Sequence, residues 1–218
     1  MGGSAVQIGI PGAIPDGLTI FETMRADPDG RIALWPLHRA RLQAGCAAVG
    51  FLLRPSAIRG ALATIPKGRT MRVRLTVAAD GAVALSHGRV PPNPPLWRVA
   101  IAAQRLDSGD PWLRIKSSRR ETYDAARTAL PDGVDEAILL NERGEVCEGS
   151  ITSLFLRRGD RLLTPPLRSG VLPGVLRRSL LDGGRAVETL LYPRDLAEGE
   201  IVMGNALRGL IPARLAEG

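Results

Sequence analysis

Lysine is almost missing from this chain. Two of its 218 residues are lysines, Lys67 and Lys116, against 27 arginines. A guanidinium stays protonated at ordinary pH and cannot serve as a covalent amine, whereas a partly buried lysine can. Any chemistry through a side-chain amine therefore narrows to two positions. Aromatic residues are scarce too, at 4%, too few to make stacking platforms for nucleic-acid bases. The arginines are scattered and form no dense basic run. The net charge of +7 thus points to small anionic ligands, and no nucleic-acid partner is expected. Two cysteines, Cys46 and Cys147, make no disulfide framework. With His38 and His87 they lack metal-ligand spacing, so no metal is expected. No apolar run approaches the ~20 residues of a membrane helix. The first residues lack the basic segment and apolar core of a secretory signal. The expected setting is the cytoplasm, with no membrane partner.

What is present reads as two lobes of mixed α/β (α+β) structure. Residues 1–16 form a leader rich in Gly and Pro. Residues 17–26 alternate as a strand, Asp27–Gly30 is a turn, and residues 31–35 return as the second strand of a hairpin. Pro36 opens a helix that ends near Gly50, with Leu42, Cys46 and Val49 on one face. Residues 55–65 form a second helix, and 70–79 and 82–87 form a hairpin. The segment 88–95 carries four prolines in five residues, which neither a helix nor a central strand accepts. It sets the expected boundary between a small N-terminal α/β lobe, 1–95, and a larger strand-rich lobe, 96–218. In the second lobe, residues 97–103 form a strand, and 119–130 and 175–181 form helices. The remainder is mostly strand and turn.

The chemistry centres on Asp135–Phe155 and on Lys116. An apolar run, Ala137–Leu140, meets the turn Asn141–Gly144, and a short second strand ends at Glu148. Gly149 follows at once, so backbone can approach a ligand closely beside that acid. Lys67 sits in an exposed turn, Ile-Pro-Lys-Gly-Arg. Lys116 closes the segment Trp-Leu-Arg-Ile-Lys, where burial can lower an amine's pKa. Pro173 and Gly174 precede a helix whose first N–H groups suit a phosphate.

These blocks in this order, with Leu-Thr-Pro-Pro (163–166), resemble the class IV pyridoxal-phosphate-dependent family. The likeness runs over residues 17–215. That family holds branched-chain and D-amino acid aminotransferases and 4-amino-4-deoxychorismate lyase. The resemblance implies a two-lobed fold, pyridoxal 5'-phosphate as cofactor, a small anionic substrate and a homodimer. It implies Lys116 as the amine that bonds the cofactor and later moves protons. Glu148 would lie at the pyridine nitrogen. Gly174, Val175, Leu176 and Arg41 would hold the phosphate, Arg41 through the pattern His-x-x-Arg-Leu.

Three features are similar to the lyase branch. Thr23, in Phe-Glu-Thr-Met-Arg, aligns with a threonine of lyase proton transfer. Asn205, in Gly-Asn-Ala-Leu, aligns with an active-site asparagine, for cofactor and substrate. The tyrosine that aminotransferases place five residues after the lysine is Glu121 here, and the nearest tyrosine is Tyr123. Arg72, Arg74 or Arg89 would clamp a substrate carboxylate, and the sequence does not choose among them. The reading that results is a lyase making 4-aminobenzoate and pyruvate in folate biosynthesis. The alternatives are an aminotransferase acting on branched-chain or D-amino acids with 2-oxoglutarate, and a non-catalytic or nucleic-acid-binding relative that has lost its cofactor.

Overall fold

The computed structural model describes residue 10 and residues 12–216. Most of the expected leader, residues 1–16, lies outside them. The chain divides into two compact units. The first runs through Arg89 and takes in Ile115–Arg119, and the second comprises Val90–Arg114 and the residues from Arg120 on.

The first unit is a three-stranded antiparallel sheet with two helices. The strands are β1 (Ile20–Ala26), β2 (Met71–Val77) and β3 (Val83–Arg89), in spatial order β1-β2-β3. Helices α1 (Trp35–Ala48) and α2 (Pro55–Ala63) pack on β1 and β3. In β2 the alternation is clean. Met71, Val73, Leu75 and Val77 are buried, while Arg72, Arg74 and Thr76 are more open, as a strand with one covered face requires.

The expected hairpin at 17–35 does not form. Asp27 and Arg31 close a turn, with the Asp27 N–H donating to the Arg31 carbonyl at 2.8 Å, but the chain then enters α1 at Trp35. Pro36 in the first helical turn pre-sets that entry, and β1 pairs with β2 instead. Leu42, Cys46 and Val49 are buried, as the helical spacing requires.

The second unit is an eight-stranded sheet, in order β10-β11-β4-β5-β6-β7-β8-β9. Its elements are β4 (Trp97–Leu106), α3 (Glu121–Thr128), β5 (Glu136–Asn141), β6 (Val146–Gly149), β7 (Ser153–Arg158), β8 (Arg161–Thr164), α4 (Val175–Asp182), β9 (Ala186–Glu188), α5 (Pro193–Glu198), β10 (Glu200–Asn205) and β11 (Gly209–Leu215). A further pairing of β10 with β7 closes six of these strands into a ring. Val99, Ile138, Leu140, Leu154, Leu156, Met203 and Ile211 form one cluster from ring strands. The alternate residues of β5, Ala137 and Leu139, pack instead with Ala126 of α3 and with Cys147. On β7, Phe155 packs with Leu180 of α4. Each large apolar side chain buried this way contributes roughly 1.5–3 kcal/mol.

The sequence-based boundary at 95/96 assigns Lys116 to the second lobe. In the structure a short 3₁₀ turn, Pro111–Arg114, ends just before it. The next residues then join the first unit's sheet at β1. Phe21 N–H donates to the Lys116 carbonyl at 3.0 Å, and Ser118 N–H to the Thr19 carbonyl at 2.8 Å. Ser117 bridges to Ile20. Backbone pairing, which composition does not reveal, decides where this pentapeptide belongs.

Candidate active site

In the first unit the candidate residues gather on one face of the sheet. Residues in register across antiparallel strands point the same way. Thr23 stands opposite Arg74, Arg25 opposite Arg72, and Phe21 opposite Thr76. On the next strand Ser86 faces Arg74 and Gly88 faces Arg72. The Phe21 ring joins this face to Lys116. The Lys116 Nζ lies 4.9 Å from the ring centroid and the Arg74 guanidinium carbon 3.6 Å. Both distances are in the range where a cation is attracted to the ring. Arg89 does not join them. It is in register with Met71, on the opposite face. The structure thus separates three arginines that the sequence left equivalent.

That opposite face holds a buried ion cluster. Glu22, fully buried, accepts from Arg41 Nε at 2.8 Å and from Arg41 Nη2 at 2.5 Å. His38 Nδ1 is 2.7 Å from the second oxygen of Glu22. An ionised carboxylate only accepts, so the proton between them lies on Nδ1. Burial pushes the Glu22 carboxyl up. The charge and hydrogen bonds of Arg41, with the His38 bond, outweigh it and hold the group down at about 2. Arg41 and His38 stand three residues apart on α1, which puts both on the side facing β1. The expectation of Arg41 was a phosphate role. The structure adds that its guanidinium is fixed in a two-pronged grip by Glu22.

In the second unit Glu148 is buried at the end of β6. One of its oxygens, Oε1, accepts from the Tyr123 hydroxyl at 2.8 Å and from the Leu172 N–H at 3.0 Å. The next turn is tied down by another acid, Glu136, at the start of β5. Its carboxylate accepts from the N–H groups of Ala137 (3.0 Å), Ser150 (3.0 Å) and Ile151 (3.2 Å), from the Thr152 hydroxyl (2.9 Å), and from the Ser150 hydroxyl. Gly149 lies inside this knot. A Cβ there would come within 2.8 Å of Met203 Cε and 3.0 Å of Glu136 Cδ, and nearer still to the Thr152 hydroxyl oxygen. Gly149→Ala is therefore expected to cost about 1–3 kcal/mol through overpacking, read as a lowered urea midpoint.

Helix α4 starts at Val175, with Gly174 as its N-cap and no side-chain cap hydrogen bond. A Cβ on Gly174 would lie 2.5 Å from Ser153 Oγ. The first N–H groups of a helix have no partner within it, and here no cap side chain takes that place. Asn205, expected at the cofactor and substrate, makes three hydrogen bonds to nearby backbone. Its amide donates to the Ile151 carbonyl at 3.1 Å, and its oxygen accepts from the N–H groups of Leu207 (3.0 Å) and Arg208 (2.9 Å). It holds the β10–β11 turn and links it to the Glu136 knot.

Sequence reasoning did not assign Glu22, His38, Glu136 or Tyr123. A signal existed for Glu136, an acid opening the apolar run Ala-Ile-Leu-Leu. Another existed for Glu22, a carboxylate between Phe21 and Met24 with an i, i+3 His–Arg pair available on the next helix.

The sequence matches the family model for class IV amino-transferases over residues 19–216. A solved structure from Mesorhizobium loti, provisionally described as an amino-acid aminotransferase, is 39% identical. It superposes with a TM-score of 0.85, covering 91% of this chain and 100% of that one. The aminodeoxychorismate lyase of Bacillus subtilis is 36% identical over 168 residues, 67% of this chain and 57% of that protein. A Thermotoga maritima protein, provisionally described as a branched-chain-amino-acid aminotransferase, is 32% identical over 106 residues, 46% of this chain and 38% of that protein. The alignments with these last two span less than two thirds of the relatives' own lengths.

Proposed function

The chain belongs to the class IV aminotransferase family of pyridoxal-phosphate enzymes, and from that premise we propose that it is a lyase converting 4-amino-4-deoxychorismate to 4-aminobenzoate and pyruvate, a reaction of folate biosynthesis. The donor set suits the cofactor. Glu148 is a buried anion for the ring nitrogen, and Lys116 is an amine at the edge of a sheet. The uncapped start of α4, at Gly174, Val175 and Leu176, suits the phosphate. In the first unit Arg41, held by Glu22, is the phosphate arginine that the family resemblance implies. When bound, the cofactor supplies an electron sink for the carbon that bears the substrate's amine.

The chain's own residues do the rest. Lys116 Nζ takes the proton from the amine-bearing carbon. The bond from the neighbouring carbon to the enolpyruvyl oxygen then breaks, and the ring becomes aromatic. Thr23 relays a proton to the departing enolpyruvate, which becomes pyruvate. Arg74 clamps a substrate carboxylate, with Arg72 two residues along the same face. Asn205 shapes the site through its turn. Because aromatisation drives the reaction, orientation is the protein's main contribution. By family resemblance, the enzyme works in the cytoplasm as a homodimer.

The observation that carries the lyase reading is Thr23, paired with Arg74 on the face where the Phe21 ring meets Lys116. A hydroxyl and a carboxylate clamp beside the amine suit an acid that must lose an enol. Asn205, committed to its own turn, favours the second reading, an aminotransferase using a branched-chain or D-amino acid with 2-oxoglutarate. Product analysis decides between them. With aminodeoxychorismate, the lyase forms pyruvate and 4-aminobenzoate in equal amounts. Glutamate formed from 2-oxoglutarate and an amino donor, without 4-aminobenzoate, would establish the transferase instead.

A further inference from the structure

We propose that Tyr123 is a positioning residue that keeps Glu148 ionised and aimed at the ring nitrogen of the cofactor. The inference rests on the family reading of Glu148 and holds for either reaction. Tyr123 stands seven residues after Lys116, where the sequence already departs from the aminotransferase pattern. In the structure its hydroxyl donates to Glu148 Oε1 at 2.8 Å, and the Leu172 N–H donates to the same oxygen at 3.0 Å. Two donors on one oxygen fix the carboxylate's rotation. They also stabilise its charged form more than its neutral form.

Tyr123 is itself held. The Arg120 guanidinium lies 5.1 Å from its ring centroid and donates to the Ser150 carbonyl at 2.7 Å. One arginine thereby links the tyrosine to the turn that follows Glu148. Burial, reinforced by the charge of Glu148, pushes the Tyr123 phenol well above its ordinary range. It stays a donor at every pH the protein meets. Arg114 completes the surroundings, donating to the Val171 carbonyl at 2.8 Å.

The consequence is chemical. A proton shared by a carboxylate and a pyridine nitrogen sits on the nitrogen only while the carboxylate is the weaker base. Hydrogen bonds to the carboxylate make it weaker. Removing the Tyr123 hydroxyl makes it stronger and draws the proton off the nitrogen, which weakens the electron sink.

The test loads the protein with pyridoxal phosphate labelled with ¹⁵N in the ring and records the ring-nitrogen resonance. In Tyr123→Phe the resonance is expected to move toward the unprotonated position. Cofactor affinity is expected to fall about 10–100-fold, as for a hydrogen bond to a charged group, and kcat to fall more than KM rises. A second arm needs no mutation. The chain has only two tyrosines, Tyr123 and Tyr192, so growth on 3-fluorotyrosine replaces just these. The more acidic phenol donates more strongly, and the resonance is expected to move the other way. Opposed shifts would support positioning, since a purely structural tyrosine predicts none. An unmoved resonance in both arms overturns the proposal, whatever happens to thermal stability. A wild-type protein that takes up no cofactor would overturn the family reading itself, a separate failure.

Discussion

Lys116→Ala lowers turnover by about 10²–10⁴-fold, the range for loss of a positioned acid–base group, and abolishes the adduct that borohydride traps. Two features set the size of the effect. The chain has one other lysine, Lys67, so no neighbouring amine can substitute. The Lys116 backbone is also fixed, with its carbonyl accepting from the Phe21 N–H at 3.0 Å, so the amine starts from a defined point. Lys116→Arg is expected to do no better than alanine. It restores the charge over Phe21 but not a titratable nucleophile. Mass spectrometry of the borohydride-reduced protein reads the site directly. Label on Lys67, or on no residue, would overturn the assignment, and so would a Lys116→Ala enzyme that keeps wild-type turnover.

The second large effect is on stability. Glu22→Gln takes from Arg41 its charged partner and leaves a single acceptor oxygen where two served Arg41 and His38. Removing one partner of a buried ion pair costs about 3–5 kcal/mol. A fall of that size in unfolding free energy is expected in urea titrations. The same cluster gives the wild type an acid limit. The Glu22 carboxyl is held at about 2 in the folded protein, against about 4.3 in an unfolded chain. A depressed carboxyl stabilises the fold above its unfolded value, and that contribution is lost as pH falls through the folded value. It is therefore complete above about pH 5 and declines between about pH 4.3 and pH 2, by about 3 kcal/mol. Glu22→Gln is expected to flatten the stability–pH curve in that window. An unchanged slope would show that another acid controls it.

Much of the architecture was legible because it rests on local chemistry. The hairpin read over 70–79 and 82–87 forms as β2 and β3, and Pro36 marked a helix start. Gly149 beside Glu148 was read as room for a ligand, and the close neighbours the structure gives it are the protein's own Thr152, Met203 and Glu136. What was not legible depends on partners far apart in the chain. The residues after Arg31 hold no sign that β1 prefers β2 to a near neighbour. Nothing local distinguishes Arg89 from Arg74, because the difference is one of strand parity, fixed only when β2 and β3 pair. The turn that Asn205 holds was not legible either, since its amide reaches the Ile151 carbonyl 54 positions away. Tyr123 was noticed as a near miss, but its partner lies 25 positions on.

The pentapeptide Ile115–Arg119 adds a constraint of a different kind. It belongs to the first unit while the residues on both sides of it belong to the second, so the polypeptide crosses over three times rather than once. The two units cannot be exchanged as cassettes by recombination at a single junction. A break near residue 95 would deliver a first unit stripped of the segment that docks on β1, and a second unit carrying that segment without its dock.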